Sequence, residues 1–328
     1  MRPRLSSALV ACLVAASAAR AGLAGAQGTS GTDAGVFLLL PIGAEAVGMG
    51  QAVVAVEGGS EGVWWNPAAI AAQKKHELAI HHSQTFAGAG DVLSFIIPSK
   101  RSGSVAISLN ILNPGEQQVT DPQNQPVGVI LPRDLVFAGT YAVAIARRLN
   151  LGFSYKVIQF RVDCSGQCAT VGTFVNSVRA ADAGAQYKPS PESPLTLGLA
   201  IRNFGGTVQS GSSGARDALP TRTDAGFLYH LTFLDKYLKD TELRAAGSVV
   251  STRDVSGLSY RVGADMVYQS NVHLRAGYAV DDHNNDSSAS LGFGVQSGRL
   301  VFDYARLFGG LSADAGATPT YLSLRFLF

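Results

Sequence analysis

The sequence predicts an all-β fold: a transmembrane antiparallel β-barrel of about fourteen strands with an N-terminal plug, or hatch, segment. Three observations lead there. From residue 76 to the C-terminus, apolar residues recur at every second position. The alternating segments are even in number, and the connections between them tend to alternate short and long. The chain also combines 46% hydrophobic residues with only 15% charged ones, below the roughly 25% usual in soluble proteins. Yet no apolar run after residue 26 approaches the ~18–20 residues that a membrane-spanning helix needs. The densest run is Val36 to Ile42. A span left to strands must close on itself, because lipid satisfies no unpaired backbone group.

The alternation is clearest in three segments. Val105, Ile107, Leu109 and Ile111 alternate with Ser104, Ala106, Ser108 and Asn110. Leu258, Tyr260, Val262, Ala264, Met266 and Tyr268 alternate with Ser259, Arg261, Gly263, Asp265, Val267 and Gln269. Ala289, Leu291, Phe293 and Val295 alternate with Ser290, Gly292, Gly294 and Gln296. The second face carries Arg261, Asp265, His273 and Arg275 among many glycines, which suits a polar lumen lined by close-packed small residues.

The predicted strands are 76–83, 90–97, 103–111, 135–146, 150–162, 179–188, 194–204, 223–231, 242–252, 257–268, 271–280, 288–296, 299–308 and 320–328. A strand of about ten residues rises about 33 Å, and a tilt near 40° reduces this to about 25 Å, the height of an outer-membrane apolar band. Connections after even segments are mostly tight, as at 98–102, 147–149, 269–270 and 297–298. Those after odd segments are mostly long, as at 112–134, 163–178, 205–222 and 309–319. Two connections break the rule: 232–241 is long where a short turn is expected, and 253–256 is short. One or two strand assignments are open on that account. The last strand ends on Phe326 and Phe328, the terminal aromatic signal that such barrels present to their assembly machinery.

Residues 1–26 read as a secretory signal peptide, with Arg2 and Arg4 ahead of an apolar run from Leu9 to Ala19. Ala24 and Ala26 give the small-residue cleavage pattern, and Ala19-Arg20-Ala21 offers a second site. Cys12 also permits a lipoprotein reading, against which almost no signal core precedes it. The expected organisation is a signal peptide (1–26), a plug or hatch (27–75) and a transmembrane barrel (76–328), placed in the bacterial outer membrane after Sec-dependent export. Cys164 and Cys168, the cysteines left after processing, lie in one loop of an exported chain and are expected to form a disulfide.

Residues 35–72 show no alternation. Trp64 and Trp65 are the only tryptophans and lie outside every predicted strand, so they are expected to pack inside. Asn66-Pro67 can fix a turn there, while Gly43, Gly48 and Gly50, flanking Met49, let the backbone run close to a wall. The stretches Pro41 to Gly50 and Val63 to Ile70 resemble the N-terminal pattern of the PorV/PorQ family, whose members are similar to the long-chain fatty acid transporter FadL. Tyr141 with Arg147-Arg148, Asp182-Ala183-Gly184, Leu197-Gly198 with Asn203-Phe204-Gly205, Leu274 to Tyr278 and Phe302-Asp303-Tyr304 carry the resemblance along the chain. It implies a FadL-like barrel with an internal plug, and some members act beside the type IX secretion system. The glycine-rich Glu57 to Gly62 departs from the family, which more often carries acidic residues there.

No residue set calls for a catalytic, cofactor or metal site, and the chain is not expected to be an enzyme. Gly58-Gly59-Ser60-Glu61-Gly62 satisfies the nucleophile-elbow spacing of esterases, but that motif needs a strand before and a helix after, inside an α/β pattern that is missing. Val53 to Val56 could be such a strand, but Trp64-Trp65-Asn66-Pro67 soon breaks any helix after it. His81 and His82 are adjacent and point to opposite faces of a strand, and His273 reads as a lumen residue. Asp281-Asp282-His283-Asn284-Asn285-Asp286 lacks the EF-hand pattern and reads as a solvated outer loop. A net charge of +2 without basic clusters gives no reason to invoke nucleic acid. Two functions remain: passage or binding of hydrophobic small molecules, or a scaffold or shuttle for secreted proteins. Expected partners are outer-membrane lipid and the barrel assembly machinery.

Overall fold

The computed structural model describes residues 35–99, 101–168, 174–210, 215–253, 255, 257–282, 286–310 and 318–328. The expected signal peptide, 1–26, and the first residues expected in the plug, 27–34, lie outside them. Among the described residues, no helix is long and apolar enough to cross a membrane.

In chain order the strands are β1 (Glu77–Thr85), β2 (Gly88–Ile97), β3 (Ser104–Asn113), β4 (Gln117–Thr120), β5 (Pro126–Ile145), β6 (Leu149–Gly166), β7 (Phe174–Tyr187) and β8 (Leu195–Gly205). They continue with β9 (Thr207–Ser210), β10 (Ala215–Ala218), β11 (Arg222–His230), β12 (Thr241–Thr252), β13 (Ser259–Tyr268), β14 (Val272–Asp281), β15 (Asp286–Ser297), β16 (Leu300–Gly309) and β17 (Thr320–Leu327). Each of the fourteen predicted segments is a strand of one antiparallel wall. β4 is an appendage on β5, and β9 and β10 form a separate hairpin. The wall closes because β1 pairs with β17 and β3 with β5.

The two irregular connections are real features rather than misassigned strands. Residues 231–240 hold a short 3-10 turn, Thr232–Leu234, and residues 253–258 are a short link. The expected long loops at 112–134 and 163–178 need correction. β5 runs for 20 residues and β6 for 18, so much of both loops is a β-ribbon rising beyond the rest of the wall. Backbone pairing runs without a break from Ile145–Leu149 to Gly128–Gly166. The Cys164–Cys168 disulfide, with Cα atoms 6.2 Å apart, lies at the ribbon tip. At the opposite end the hairpins are tight. Ala146-Arg147 and Gln269-Ser270 adopt positive φ at both positions (51° and 56°, 50° and 57°), the geometry that matches a two-residue turn to strand twist.

Burial follows the pleat. In β13 Arg261 and Asp265 are 5% and 0% exposed, whereas Tyr260 and Val262 are 48% and 56% exposed. In β17 Tyr321 and Ser323 are buried inward, while Leu322, Leu324 and Phe326 face out. Phe328 stacks on Phe326, Phe95 and His76 at the rim where the chain enters and leaves the wall. His81 points inward and His82 outward. Residues 283–285 of the predicted Asp281–Asp286 loop lie outside the described residues.

An arginine on the outward face near the middle of a membrane barrel costs about 2–4 kcal/mol. Val262→Arg is therefore expected to cut the yield of folded protein in vesicles sharply, and Asn110→Arg, facing a cleft inside the wall, much less. Heat-modifiable migration on gels reads both, and equal yields contradict the assigned faces.

Candidate functional site: the lumen and residues 35–72

The chain ahead of β1 is built from short pieces: a 3-10 turn at Val36–Leu39, α1 (Ala44–Gly48), α2 (Gly62–Trp65) and a second 3-10 turn at Pro67–Ala72. None is long enough to be stable alone. Their order comes from the wall. Glycines on the inward face admit the backbone of this segment at distances no side chain would allow. A Cβ on Gly277 would lie 1.9 Å from the nitrogen of Gly50, and one on Gly198 2.4 Å from the carbonyl oxygen of Val54. Gly152 meets the backbone of Pro67 in the same way, Gly184 makes room for the Asn66 side chain, and Gly263 and Gly292 meet the backbone at Met49 and Gly48. The segment thus touches β6, β7 and β8 on one side and β13, β14 and β15 on the other. Gly50 itself needs to be glycine, with φ of 60° and the carbonyl oxygen of Val262 2.6 Å from where its Cβ would stand.

Polar side chains of the wall bond the segment's backbone. Ser323 Oγ accepts from Ala44 N (2.9 Å) and Ser290 Oγ from Gly50 N (3.1 Å). Glu77 accepts from Ser60 N (2.9 Å), and Gln186 Nε2 donates to Val56 O (2.7 Å). Asn66 Nδ2 donates to Val54 O (2.6 Å) and to Ala185 O of β7 (3.2 Å), while its Oδ1 accepts from Ala68 N. Asn66 is extended (φ −155°) ahead of Pro67, which opens the second 3-10 turn as the proline steric rule requires. Both tryptophans are buried. Trp65 Nε1 donates to Ile42 O (2.9 Å), and the guanidiniums of Arg202 and Arg261 lie 4.9 and 5.9 Å from its ring centre. Lys156 stands 5.5 Å from Trp64, and Arg202 Nη1 donates to Trp64 O (2.8 Å). Such cation–ring contacts strengthen when desolvated.

A charged network joins α1 to the wall. Glu45 lies 3.3 Å from Arg325 and 3.8 Å from Arg275, and both arginines bond Asp303 (2.8 and 2.6 Å). Asp265 lies 3.6 Å from Arg275 and pairs with Arg244 and His273. Glu61 accepts from Ala46 N (2.7 Å) and Glu45 N (3.2 Å) at the start of α1. Burial pushes the Glu45 carboxyl up, but Arg275 and Arg325 outweigh it and hold the group at about 2. Burial and the neighbouring Glu45 charge push Glu61 up to about 8. Sequence alone marked Arg261, Asp265, His273 and Arg275 as lumenal, but gave no sign of the Glu45–Glu61 pair, since the arginines that hold Glu45 are more than two hundred residues away. The inward glycines were visible as small residues, although their match to one N-terminal segment was not.

Ser60 Oγ is 2.9 Å from His81 Nε2. His81 Nδ1 bonds the hydroxyl of Ser323 at 2.7 Å, while the nearest carboxylate oxygen of Glu61 is 3.8 Å away. Residues 51–57, including the candidate strand at Val53 to Val56, form no strand, and α2 is one turn long. Ser60 is fully buried. The contact tethers the segment to β1 and β17 and lacks the strand–turn–helix setting of a nucleophile elbow. Two cavities of about 20 Å³ each remain in the half of the lumen away from the chain termini. Both are lined by Phe37, Leu40 and Ile42, and one of them also by Trp64, Trp65 and Arg202. Each has room for about one water molecule, so a larger molecule fits there only if residues 35–72 shift.

Valine at Gly277 should collide with Gly50 and cost about 1–3 kcal/mol of packing. Gly277→Val is expected to release the segment from a still-folded barrel, seen as a red shift of Trp64 and Trp65 fluorescence. Gly139→Ala, with nothing within 4 Å, is expected to change nothing.

The same emission should respond to pH. Glu61, raised from 4.5 to about 8, favours the seated segment fully below 4.5 and loses that contribution as pH rises through about 8. Glu45, lowered to about 2, contributes above 4.5 and loses its share as pH falls towards 2. A red shift between about pH 5 and about pH 9 is expected in the intact protein and absent in Glu61→Gln. A shift of the same size in both contradicts the assignment to Glu61.

No family model and no curated protein matches the chain. Solved structures do. The toluene transporter TodX of Pseudomonas putida aligns with a TM-score of 0.62 over 87% of this chain and 98% of its own, at 11% identity. The toluene transporter TbuX of Ralstonia pickettii gives 0.58 over 89% and 100%, at 12% identity. A FadL homologue of Pseudomonas aeruginosa gives 0.55 over 88% and 98%, at 12% identity. At such identities the likeness is one of fold: this chain is a closed fourteen-strand barrel similar to those of FadL-type outer-membrane transporters.

Proposed function

We propose that the protein is an outer-membrane channel of FadL type that takes up hydrophobic small molecules, with residues 35–72 as its hatch. The observation that carries this reading is the manner in which the segment is held. It reaches from wall to wall by side-chain bonds and backbone contact at glycines, with no strand pairing to break. It can therefore shift while the wall stays closed. The apolar outer face and polar inner face suit a lipid setting, and the barrels it resembles include two toluene transporters. The cavities beside Phe37, Leu40 and Ile42 mark where a compact apolar molecule would lodge once the hatch shifts. The chain would reach the outer membrane by Sec-dependent export, with Phe326 and Phe328 read by the assembly machinery, and would not act as an enzyme. The PorV/PorQ resemblance is a further proposal about kinship. No observation favours the secretion role attached to some of that family.

Deleting Gly35 to Glu61 is expected to leave an inserted barrel with raised conductance in planar bilayers. Trp65→Ala together with Pro67→Ala should give brief openings, since truncating a buried tryptophan alone costs about 3–5 kcal/mol. Proteoliposomes of the intact protein should take up a small aromatic hydrocarbon faster than empty ones. A deletion variant that inserts normally yet conducts no more than the intact protein refutes the hatch, leaving the segment as a docking arm.

A further inference from the structure

The β11–β12 link is the longest connection at the end of the wall that carries the chain termini. Elsewhere at that end the links span two to seven residues, against ten at 231–240. The added length is ordered. Tyr237 N and Leu238 N both donate to Leu234 O (2.8 and 3.0 Å), Leu231 N donates to Leu243 O (2.8 Å), and Asp240 O accepts from Gln269 N of the next hairpin (2.7 Å). This built turn nevertheless leaves large apolar side chains uncovered. Phe233, Tyr237 and Leu238 are 57%, 71% and 37% exposed.

Two features identify what covers them. The turn continues the outward apolar stripe of the wall, where Phe227 and Tyr229 of β11 lead into Leu231, and Leu243 of β12 faces the same way. The ammonium of Lys236 lies 4.7 Å over the Tyr237 ring, with Lys239 exposed close by. An aromatic ring with a polar tip beside a lysine whose stem covers apolar surface is the pairing that membrane interfaces favour. Asp235 and Asp240 flank the lysines, so the turn has no net charge to draw it to a surface. Contact with lipid rests instead on continuity with the wall.

We propose that residues 232–239 lie in the interfacial layer of the leaflet nearest the chain termini, with Phe233, Tyr237 and Leu238 at the level of the acyl-chain ester groups and Lys236 at the lipid phosphates. This rests on the membrane reading of the wall. The turn then fixes the depth of the barrel and lies flat against the bilayer rather than projecting from it.

Spin labels test the placement in the processed full chain, folded in phosphatidylethanolamine–phosphatidylglycerol vesicles. Cys164 and Cys168 are paired and do not take the label. Labels are placed through Tyr237→Cys and Leu238→Cys in the turn, Val262→Cys on the wall and Asn124→Cys in an outer turn, with folding checked by heat-modifiable migration. Power saturation compares collision with oxygen, which concentrates in lipid, and with a water-soluble nickel chelate. The expected oxygen-to-nickel ratio at 237 and 238 is several-fold above that at 124 and below that at 262. Ratios at 237 and 238 equal to that at 124 overturn the proposal, as does low access to both reagents, which means protein covers the turn. A water-like ratio at 262 overturns the membrane reading itself.

Discussion

Closure of β1 on β17 is the constraint from which the rest follows. A strand edge in lipid leaves a row of backbone groups without partners. The wall removes that edge by pairing eight residues of β1 with eight of β17, from Glu77–Leu327 to Gln84–Thr320. Closure turns one face of every strand into an interior, and the sequence treats the two faces differently. Leu78 and Ile80 face out beside Phe326 and Leu324, while His81 faces in beside Ser323. The last strand is thus both the seal of the wall and part of its lining.

The lining carries charge, and its charges are bonded mainly to one another. Arg275, Arg325, Asp303 and Asp265 form a chain of contacts across β13, β14, β16 and β17. Buried pairs of this kind add little net stability, since desolvation offsets attraction, but breaking one partner away is costly. Their consequence here is specificity. Glu45 completes the network from the N-terminal segment, so α1 has one electrostatically satisfied position against the wall. Glu61 caps the same short helix from within the segment, and burial, reinforced by the neighbouring Glu45 charge, holds its carboxyl well above the usual carboxylate range.

The wall was legible because period-two alternation is a local signal. All fourteen segments could be found from apolar residues at alternate positions, and the positive-φ hairpins at Ala146-Arg147 and Gln269-Ser270 were tight enough to locate. The β5–β6 ribbon was misjudged as loop, since strand pairing outside the membrane requires no apolar face and Gln117 to Arg133 shows little alternation. The residues expected in the hatch, Gly43, Gly48, Met49, Gly50, Trp64, Trp65, Asn66 and Pro67, stood out as a composition foreign to the strands around them. Their partners were illegible. Gly277 meets Gly50 across more than two hundred residues, and Gly198 meets Val54, through backbone contacts that have no pattern in a single sequence.

How the segment is seated bears on whether it can move. A strand inserted in a sheet must break a ladder of backbone bonds together, whereas residues 44–64, with α1 and α2, are held by separate side-chain bonds from Ser323, Ser290, Glu77, Gln186 and Arg202. Each such bond contributes about 0.5–1.5 kcal/mol net, and water entering an opened lumen can replace it. The tryptophans are the larger anchor, because Trp65 sits between Arg202 and Arg261 and closes on Ile42. An apolar molecule entering the adjoining cleft beside Ile42 and Phe37 competes for the surface that holds Trp65. In the proposed channel, cargo and anchor would share one apolar wall, and occupation by the first would loosen the second without any change in strand pairing.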